Sequence, residues 1–152
     1  MGRVEQRLDQ LGITLPATPK PVANYVPAKR VGNLVYVAGQ VSALAGREYR
    51  GQLGGDRGAE EGQEATRACA INCLAALLSV VDSLDRLTQI VHVGGFVNSA
   101  QGFQGQAAAM NGASDLLVEV FGEAGKHTRT AVGVSGLPLD YTASVYLIAE
   151  VA

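Results

Sequence analysis

Two apolar segments near the C-terminus, separated by a Gly-Leu-Pro turn at residues 136–138, constrain the fold of this chain more than any other feature. The first begins near Arg129 and alternates apolar and polar residues, and the second runs from Ala143 to Val151. Alternation with a period of two places successive side chains on opposite faces of a strand. The C-terminal third is therefore predicted to contribute two strands to a sheet.

Arg129 stands at the start of the first of these strands, where a charge is costly. Its guanidinium keeps its proton, so a sheet face tolerates it only if an anion or water satisfies its donors. One interpretation is that Arg129 binds a carboxylate ligand. The other is an edge-strand arginine that reaches solvent or pairs with an acid of the chain itself, and the local pattern leaves both open.

The length and the N-terminal pattern predict a single domain over residues 1–152 with an N-terminal arm over residues 1–27. A chain of 152 residues can bury ~70% of its unfolded surface around one core. In the arm, Val4, Leu8 and Leu11 recur at helical spacing before Gly12. Four prolines follow within residues 13–27 and favour an extended path.

Charge and composition argue against several classes of partner. The formal net charge of −2 supplies no basic field to draw the chain onto nucleic acid or an anionic membrane. No apolar leader and no uncharged apolar run of about 18 residues occurs, which predicts neither a signal peptide nor a membrane span. Cys69 and Cys73 are interpreted as buried free thiols, which are typical of a reducing cytoplasm.

The remaining patterns predict further strands and helices. Strands are expected at residues 34–38 and 89–97, and helices at about residues 60–82 and 107–121. Between the first strand and the first helix, residues 46–58 contain five glycines and predict a mobile loop that can hold a short strand. This order is typical of an α+β domain, here with a mixed β-sheet and two helices packed on one face.

Familiar catalytic and metal-binding motifs are absent from the sequence. Cys69 and Cys73 with two histidines make a poor zinc set, and no phosphate-binding loop or dinucleotide fingerprint occurs, so neither a metal nor a cofactor is predicted. His92 lies in mid-strand and is interpreted as a packed or edge histidine. His127 precedes Arg129 by two positions and should share its strand face, which makes His127 a candidate for lining a site.

Several segments together resemble the RidA/YjgF family, the reactive intermediate deaminases that are also called L-PSP endoribonucleases. The segments similar to the family's first strand, its two helices and its C-terminal signature are residues 31–40, 65–78, 118–122 and 128–138. They occur in the family's order over roughly residues 20–152. The polar link at residues 98–106 and the extended N-terminus are typical of a divergent branch.

The resemblance implies a chorismate-mutase-like fold in a barrel-forming homotrimer with clefts between subunits. A sheet with helices on one face must bury its other face, and a neighbouring subunit can do so. Family substrates are imines and enamines derived from amino acids, which are hydrolysed to 2-keto acids and ammonia. The implied partner is therefore a small carboxylate metabolite.

The resemblance also assigns residues to the substrate cleft. Arg129 matches the arginine that holds the substrate carboxylate through two parallel hydrogen bonds. Tyr25 matches a tyrosine that lines the cleft, and Gly39 matches a glycine whose backbone faces the ligand. For the family's asparagine on the second helix two positions stay open, Asn111 as the nearest amide and Ser114 by counting along the helix.

Tyr146 occupies the catalytic position at which active family members carry a glutamate that acts on the attacking water. A phenol is a weak base at neutral pH, although its hydroxyl can orient a water molecule. Glu150 lies about 13 Å further along the strand, too far to substitute. Three functions remain open: an imine/enamine deaminase, a non-catalytic protein that binds a small carboxylate in the same cleft and, with the least support, a ribonuclease.

Overall fold

The computed structural model describes residues 1–18, 20 and 23–152, so the expected extended path at Pro19 and Pro21 lies outside the described residues. The helices are α1 (Arg3–Gln10), α2 (Ala59–Leu77) and α3 (Gln106–Phe121). The strands are β1 (Ala28–Val31), β2 (Leu34–Val41), β3 (Ala43–Leu44), β4 (Arg47–Glu48), β5 (Leu87–Asn98), β6 (Thr128–Val134) and β7 (Ala143–Val151). The helix predicted at the N-terminus is thus present.

Five of the strands form one mixed sheet in the order β1-β2-β7-β5-β6. Neighbours in this sheet are antiparallel except β5 and β6, which run parallel. The two remaining strands, β3 and β4, pair with each other in a separate ribbon. β1 and β6 are therefore the opposite edges of the main sheet, and the predicted mixed sheet is confirmed.

Helices α2 and α3 pack side by side on one face of the sheet, as predicted. Val145, Leu147 and Ala149 of β7 are buried beneath them, whereas Tyr146 and Ile148 lie on the other face and are partly exposed. This alternation gives the sheet one face in the core and one open face. Among the described residues, none of the helices combines the length and apolar character that crossing a bilayer requires.

Cys69 and Cys73 lie on the inner side of α2 and are both free and buried, as predicted. Their Sγ atoms donate to the carbonyl oxygens of Ala143, at 3.6 Å, and Val145, at 3.4 Å, on β7. Burial raises the pKa of both thiols. Because the thiolate is the reactive form, these side chains act as packing groups between helix and sheet.

The sequence patterns do not predict strand β1. Its central residues Lys29 and Arg30 are charged and exposed, which protects the edge of the sheet but removes the period-two signal. Gly32 adopts a φ of +60° in the turn that joins β1 to β2. This left-handed conformation favours glycine and allows a tight hairpin.

Two further boundaries differ from the prediction. Helix α2 ends at Leu77 rather than near residue 82, and just beyond its end the Ser79 hydroxyl donates to the Ala76 carbonyl at 2.8 Å. Such side-chain bonds compete with the continuing helix. The glycine-rich loop holds the short strand β4, and the mobility expected of this loop stays a prediction.

Candidate functional site

Arg129 lies on the edge strand β6 and points to the helix side of the sheet. Its parallel neighbour in register is the buried Val93 of β5, which faces α3. The Arg129 Nη1 atom donates to Asn111 Oδ1 at 2.9 Å and to Ser114 Oγ at 3.2 Å. Asn111 and Ser114, the two candidates for the family's asparagine, lie on α3. Both contact the arginine, because they are three residues apart and share one face of the helix.

Arg129 is partly buried as a residue, and its guanidinium is bonded to neutral oxygen atoms. No carboxylate among the described residues lies within 4.0 Å of its nitrogens. Nε and Nη2 make no hydrogen bond to the residues that the structure describes, so this edge of the fork is left for a ligand. That edge matches the two oxygens of a carboxylate.

Ser114 connects Arg129 to His127 through a short chain of hydrogen bonds. The His127 Nδ1 atom lies 2.6 Å from the Gly125 carbonyl oxygen, and its Nε2 atom lies 2.9 Å from Ser114 Oγ. A carbonyl oxygen only accepts, so Nδ1 must carry a proton and donate it. In the neutral ring Nε2 is then the acceptor, and the Ser114 hydroxyl donates to it.

The surroundings of His127 favour this neutral form. Burial is the largest cause and lowers the pKa of His127 from its ordinary value, and the charges of Arg129 and His92 lower it further. The hydrogen bond to the Gly125 carbonyl opposes these effects and raises the pKa. The net effect is a lowered pKa, so His127 is a neutral imidazole at neutral pH and is able to accept a proton.

A surface cavity of about 360 Å³ lies against this group and is lined by Ser114, Val118, Lys126, His127 and Arg129. Sequence reasoning did not single out Val118 and Lys126. The signal for Val118 was present, because it follows Ser114 by four residues and so lies on the same face of α3. Lys126 adds a second positive charge at the rim, although its Nζ pairs with Glu123 Oε1 at 2.9 Å.

Tyr146 lies on the open face of the sheet, opposite to Arg129. Its ring covers Gly94 of β5 so closely that a Cβ at Gly94 would overlap it. The ring centroids of His92 and Phe96 each lie 6.1 Å from that of Tyr146. Within one chain the structure therefore does not bring Tyr146 and Arg129 together.

Tyr25 and Gly39 lie toward the other edge of the sheet. Tyr25 is exposed and precedes β1, which forms that edge. Gly39 lies in an irregular step of the β2–β7 pairing between Val37 and Gln40, and a Cβ there would lie 3.0 Å from Ser144 Oγ. Since β6 forms the opposite edge, neither residue reaches Arg129 in the same chain.

The residues assigned to one cleft thus fall into two groups. One group, on α3, on β6 and at the residue just before β6, consists of Arg129, Asn111, Ser114 and His127, and it is already assembled. The other group, outside the helix layer, consists of Tyr25, Gly39 and Tyr146. Over the described ranges no cluster of three or more His, Cys, Asp or Glu side chains is placed to hold a metal ion.

Comparison with known proteins identifies relatives along nearly the whole chain. The protein TCP17 from Trypanosoma cruzi is 41% identical over 151 residues, which cover 98% of this chain and 94% of that protein. A crystal structure from Shewanella oneidensis, described as a putative endoribonuclease, is 38% identical with a TM-score of 0.93 and covers 99% of this chain and 100% of its own. A protein of unknown function from Agrobacterium tumefaciens is 38% identical with a TM-score of 0.90, covering 98% and 92%.

More distant structures share the fold alone. A protein of the Rid family from Yersinia pestis is 22% identical with a TM-score of 0.60 and covers 88% of this chain and 93% of its own.

The family model described as "YjgF/chorismate mutase-like, putative endoribonuclease" matches residues 5–151. The chain therefore belongs to the YjgF/chorismate mutase-like family, as the sequence resemblance predicted.

Proposed function

We propose that this protein is an imine or enamine deaminase that hydrolyses a small carboxylate-bearing intermediate to a 2-keto acid and ammonia. The observation that carries the proposal is the geometry of Arg129, whose Nη1 atom bonds Asn111 and Ser114. This arrangement leaves Nε and Nη2 for the two oxygens of a ligand carboxylate. The cavity of about 360 Å³ beside it suits a metabolite of a few heavy atoms.

A homotrimer would complete the site. The β6 and α3 edge of one chain carries Arg129, and the β1 and β2 edge carries Tyr25 and Gly39. A head-to-tail contact between these unlike edges brings both groups into one cleft, and such a contact closes into a ring when repeated by rotation. The ring would also cover the open sheet face, where Tyr146 can orient water by hydrogen bonding.

The free thiols also bear on the compartment. Cys69 and Cys73 lie close together on α2 and remain unpaired. Reduced cysteines of this kind are typical of the cytoplasm, where glutathione and thioredoxin keep thiols reduced. A cytoplasmic protein would meet amino-acid-derived imines where they form.

The deaminase activity is tested by releasing 2-aminoacrylate enzymatically and following its decay with and without the purified protein. We expect acceleration by the wild type and a loss of at least about 100-fold in kcat/KM for Arg129→Ala, because the variant lacks the guanidinium that holds the carboxylate through two hydrogen bonds. Arg67→Ala is the matched control, since Arg67 is also half-buried but lines a groove between α2 and α3. Unaccelerated decay at every protein concentration would reject the deaminase.

A second candidate is a protein that binds a small carboxylate without turning it over. It is favoured by Tyr146, which stands in place of a glutamate and lies on the opposite sheet face from Arg129. In thermal unfolding, pyruvate at 100 times its dissociation constant should add ~2.7 kcal/mol to the stability of a binding-competent protein. If Arg129→Ala shows the same shift as the wild type, Arg129 is not the anchor in either function.

A further inference from the structure

Taking the deaminase function above as its premise, we propose that Ser114 is the catalytic residue that contacts the attacking water and that His127 acts through it as the proton acceptor. The chain of contacts is continuous. Arg129 Nη1 lies 3.2 Å from Ser114 Oγ, which lies 2.9 Å from His127 Nε2, and His127 Nδ1 lies 2.6 Å from the Gly125 carbonyl oxygen. His127 is a positioning residue in this scheme because it does not touch the substrate.

The Ser114 hydroxyl is suited to pass a proton in one direction. It donates its hydrogen to His127 Nε2 and accepts one bond from Arg129, which leaves its second lone pair for a water molecule. The Gly125 carbonyl fixes the ring of His127 and holds a proton on Nδ1. A proton acceptor that is oriented by a third group is the arrangement found in many hydrolases.

The charges around His127 come from each element packed against it. On β6 and β5 these are Arg129 and His92, and both disfavour a positive ring. In the segment before β6 the charge of Lys126 is paired with Glu123. The acids of α3, Asp115 and Glu119, line the groove that faces α2 rather than the His127 cavity. The lowered pKa therefore favours the neutral ring before the reaction, and it makes the imidazolium formed during the reaction more acidic than usual, so that it readily returns its proton.

The proposed step balances in protons and electrons. With the carboxylate held by Arg129, the water oxygen bonds to the imine carbon while the π electron pair of the C=N bond moves to nitrogen, which takes a proton from solvent. The water loses a proton to Ser114 Oγ as the Ser114 proton passes to His127 Nε2. The imidazolium then returns a proton through Ser114 to the amino group, the C–N bond breaks, ammonia leaves, and the remaining hydroxyl becomes the 2-keto oxygen with loss of its proton to solvent.

Kinetics of paired variants test this assignment in the full-length protein. We expect Ser114→Ala and His127→Gln each to lower kcat about 100-fold, the range expected for general acid–base catalysis, with a smaller change in KM. The wild-type rate should fall as the pH drops below the ordinary range of histidine, and this acid limb should be missing in His127→Gln. Ser114→Thr, which keeps the hydroxyl, should recover most of the rate.

A measurement without turnover separates this assignment from the deaminase function itself. In ¹⁵N-labelled wild type, the His127 ring should be neutral at pH 7 with its proton on Nδ1, and the resonance should be altered in Ser114→Ala. A charged His127 ring at pH 7, or a neutral ring with its proton on Nε2, would contradict the proposed proton transfer from Ser114 to His127. If Ser114→Ala and His127→Gln both keep full activity and the wild-type fall in rate at low pH, proton transfer through Ser114 to His127 is rejected, but the deaminase function is not. If the wild type is inactive although it binds pyruvate through Arg129, both the proton transfer and the deaminase function are rejected.

Discussion

Arg129 and His127 both contact Ser114, so a change of protonation at His127 alters the surroundings of the arginine. When the ring gains a second proton, Nε2 becomes a donor and the Ser114 hydroxyl must turn its hydrogen elsewhere. Two positive groups then face each other across one serine oxygen. The spacing of His127 and Arg129 therefore predicts that acid weakens this region.

The stability of the protein should report this effect. Because the folded protein has a lowered pKa at His127, the unfolded chain binds the proton more readily, and stability is lost as the pH falls through the ordinary histidine value and towards the lowered one. Melting temperatures measured from about pH 8 to pH 5 should fall more steeply for the wild type than for His127→Gln. Parallel curves for the two proteins would contradict a lowered pKa of His127 in the folded protein.

The contact between α2 and α3 sets which face of α3 is presented to β6. Gly112 lies against the Gln63 backbone carbonyl of α2, while Asn111 and Ser114, on the neighbouring face, contact Arg129. The Thr66 hydroxyl reinforces the contact by donating to the Ala109 carbonyl of α3 at 2.7 Å. A glycine at this point allows the two helix backbones to approach, and this approach fixes the rotation of α3.

Gly112→Ala tests the role of this close approach. A Cβ at Gly112 would overlap the Gln63 carbonyl, which belongs to the backbone and cannot move alone. Because the overlap is with backbone, the cost should lie near the upper end of the roughly 1–3 kcal/mol typical of overpacking, and the higher helix propensity of alanine returns about 1 kcal/mol, so we expect a net loss of about 2 kcal/mol.

Urea unfolding measures this loss, with Gly136→Ala as the control because a Cβ at Gly136 has open space around it. The control should change stability by no more than about 0.5 kcal/mol. Equal stability of Gly112→Ala and the wild type would mean that α3 shifts without cost and that Gly112 does not set its position.

The open face of the sheet is an apolar surface that a single chain leaves exposed. The sheet face opposite the helices exposes large side chains from neighbouring strands, among them Tyr36, Phe96 and Val132. Exposed apolar patches of this kind mark association surfaces. A trimer that closes through unlike edges would bury this face and join the two halves of the cleft.

We expect the protein to run in solution as a trimer of three 15.8 kDa chains, about 47 kDa. Phe96→Glu should reduce the mass measured by light scattering, because a charge would be buried in the interface. Leu78→Glu is the matched control, since Leu78 is 37% exposed and Phe96 is 38% exposed, and Leu78 directly follows the last residue of helix α2. A monomeric wild type would contradict the shared cleft.

Much of this fold could be predicted from the sequence, because the spacing of apolar residues along a strand or a helix involves only residues that are near each other in the chain. The period-two alternation of Ala143–Val151 and the helical spacing in Gln106–Phe121 correspond to β7 and α3. Strand β1 was missed because Lys29 and Arg30 lie at an edge and bury no alternating face. The end of α2 was placed too late because Val81 is buried, although it lies beyond the helix.

By itself, the sequence determined the α+β class, the strand that carries Arg129 and the placement of the two thiols in the core, because each depends on the spacing of nearby residues. Only the tertiary structure decided that Arg129 bonds Asn111 and Ser114 together, that His127 joins them, and that Tyr146 lies on the other side of the sheet. These facts depend on the pairing of β6 with β5 and on the close contact of α3 with α2. Contacts between segments distant along the chain are set by packing, which no short pattern of residues records.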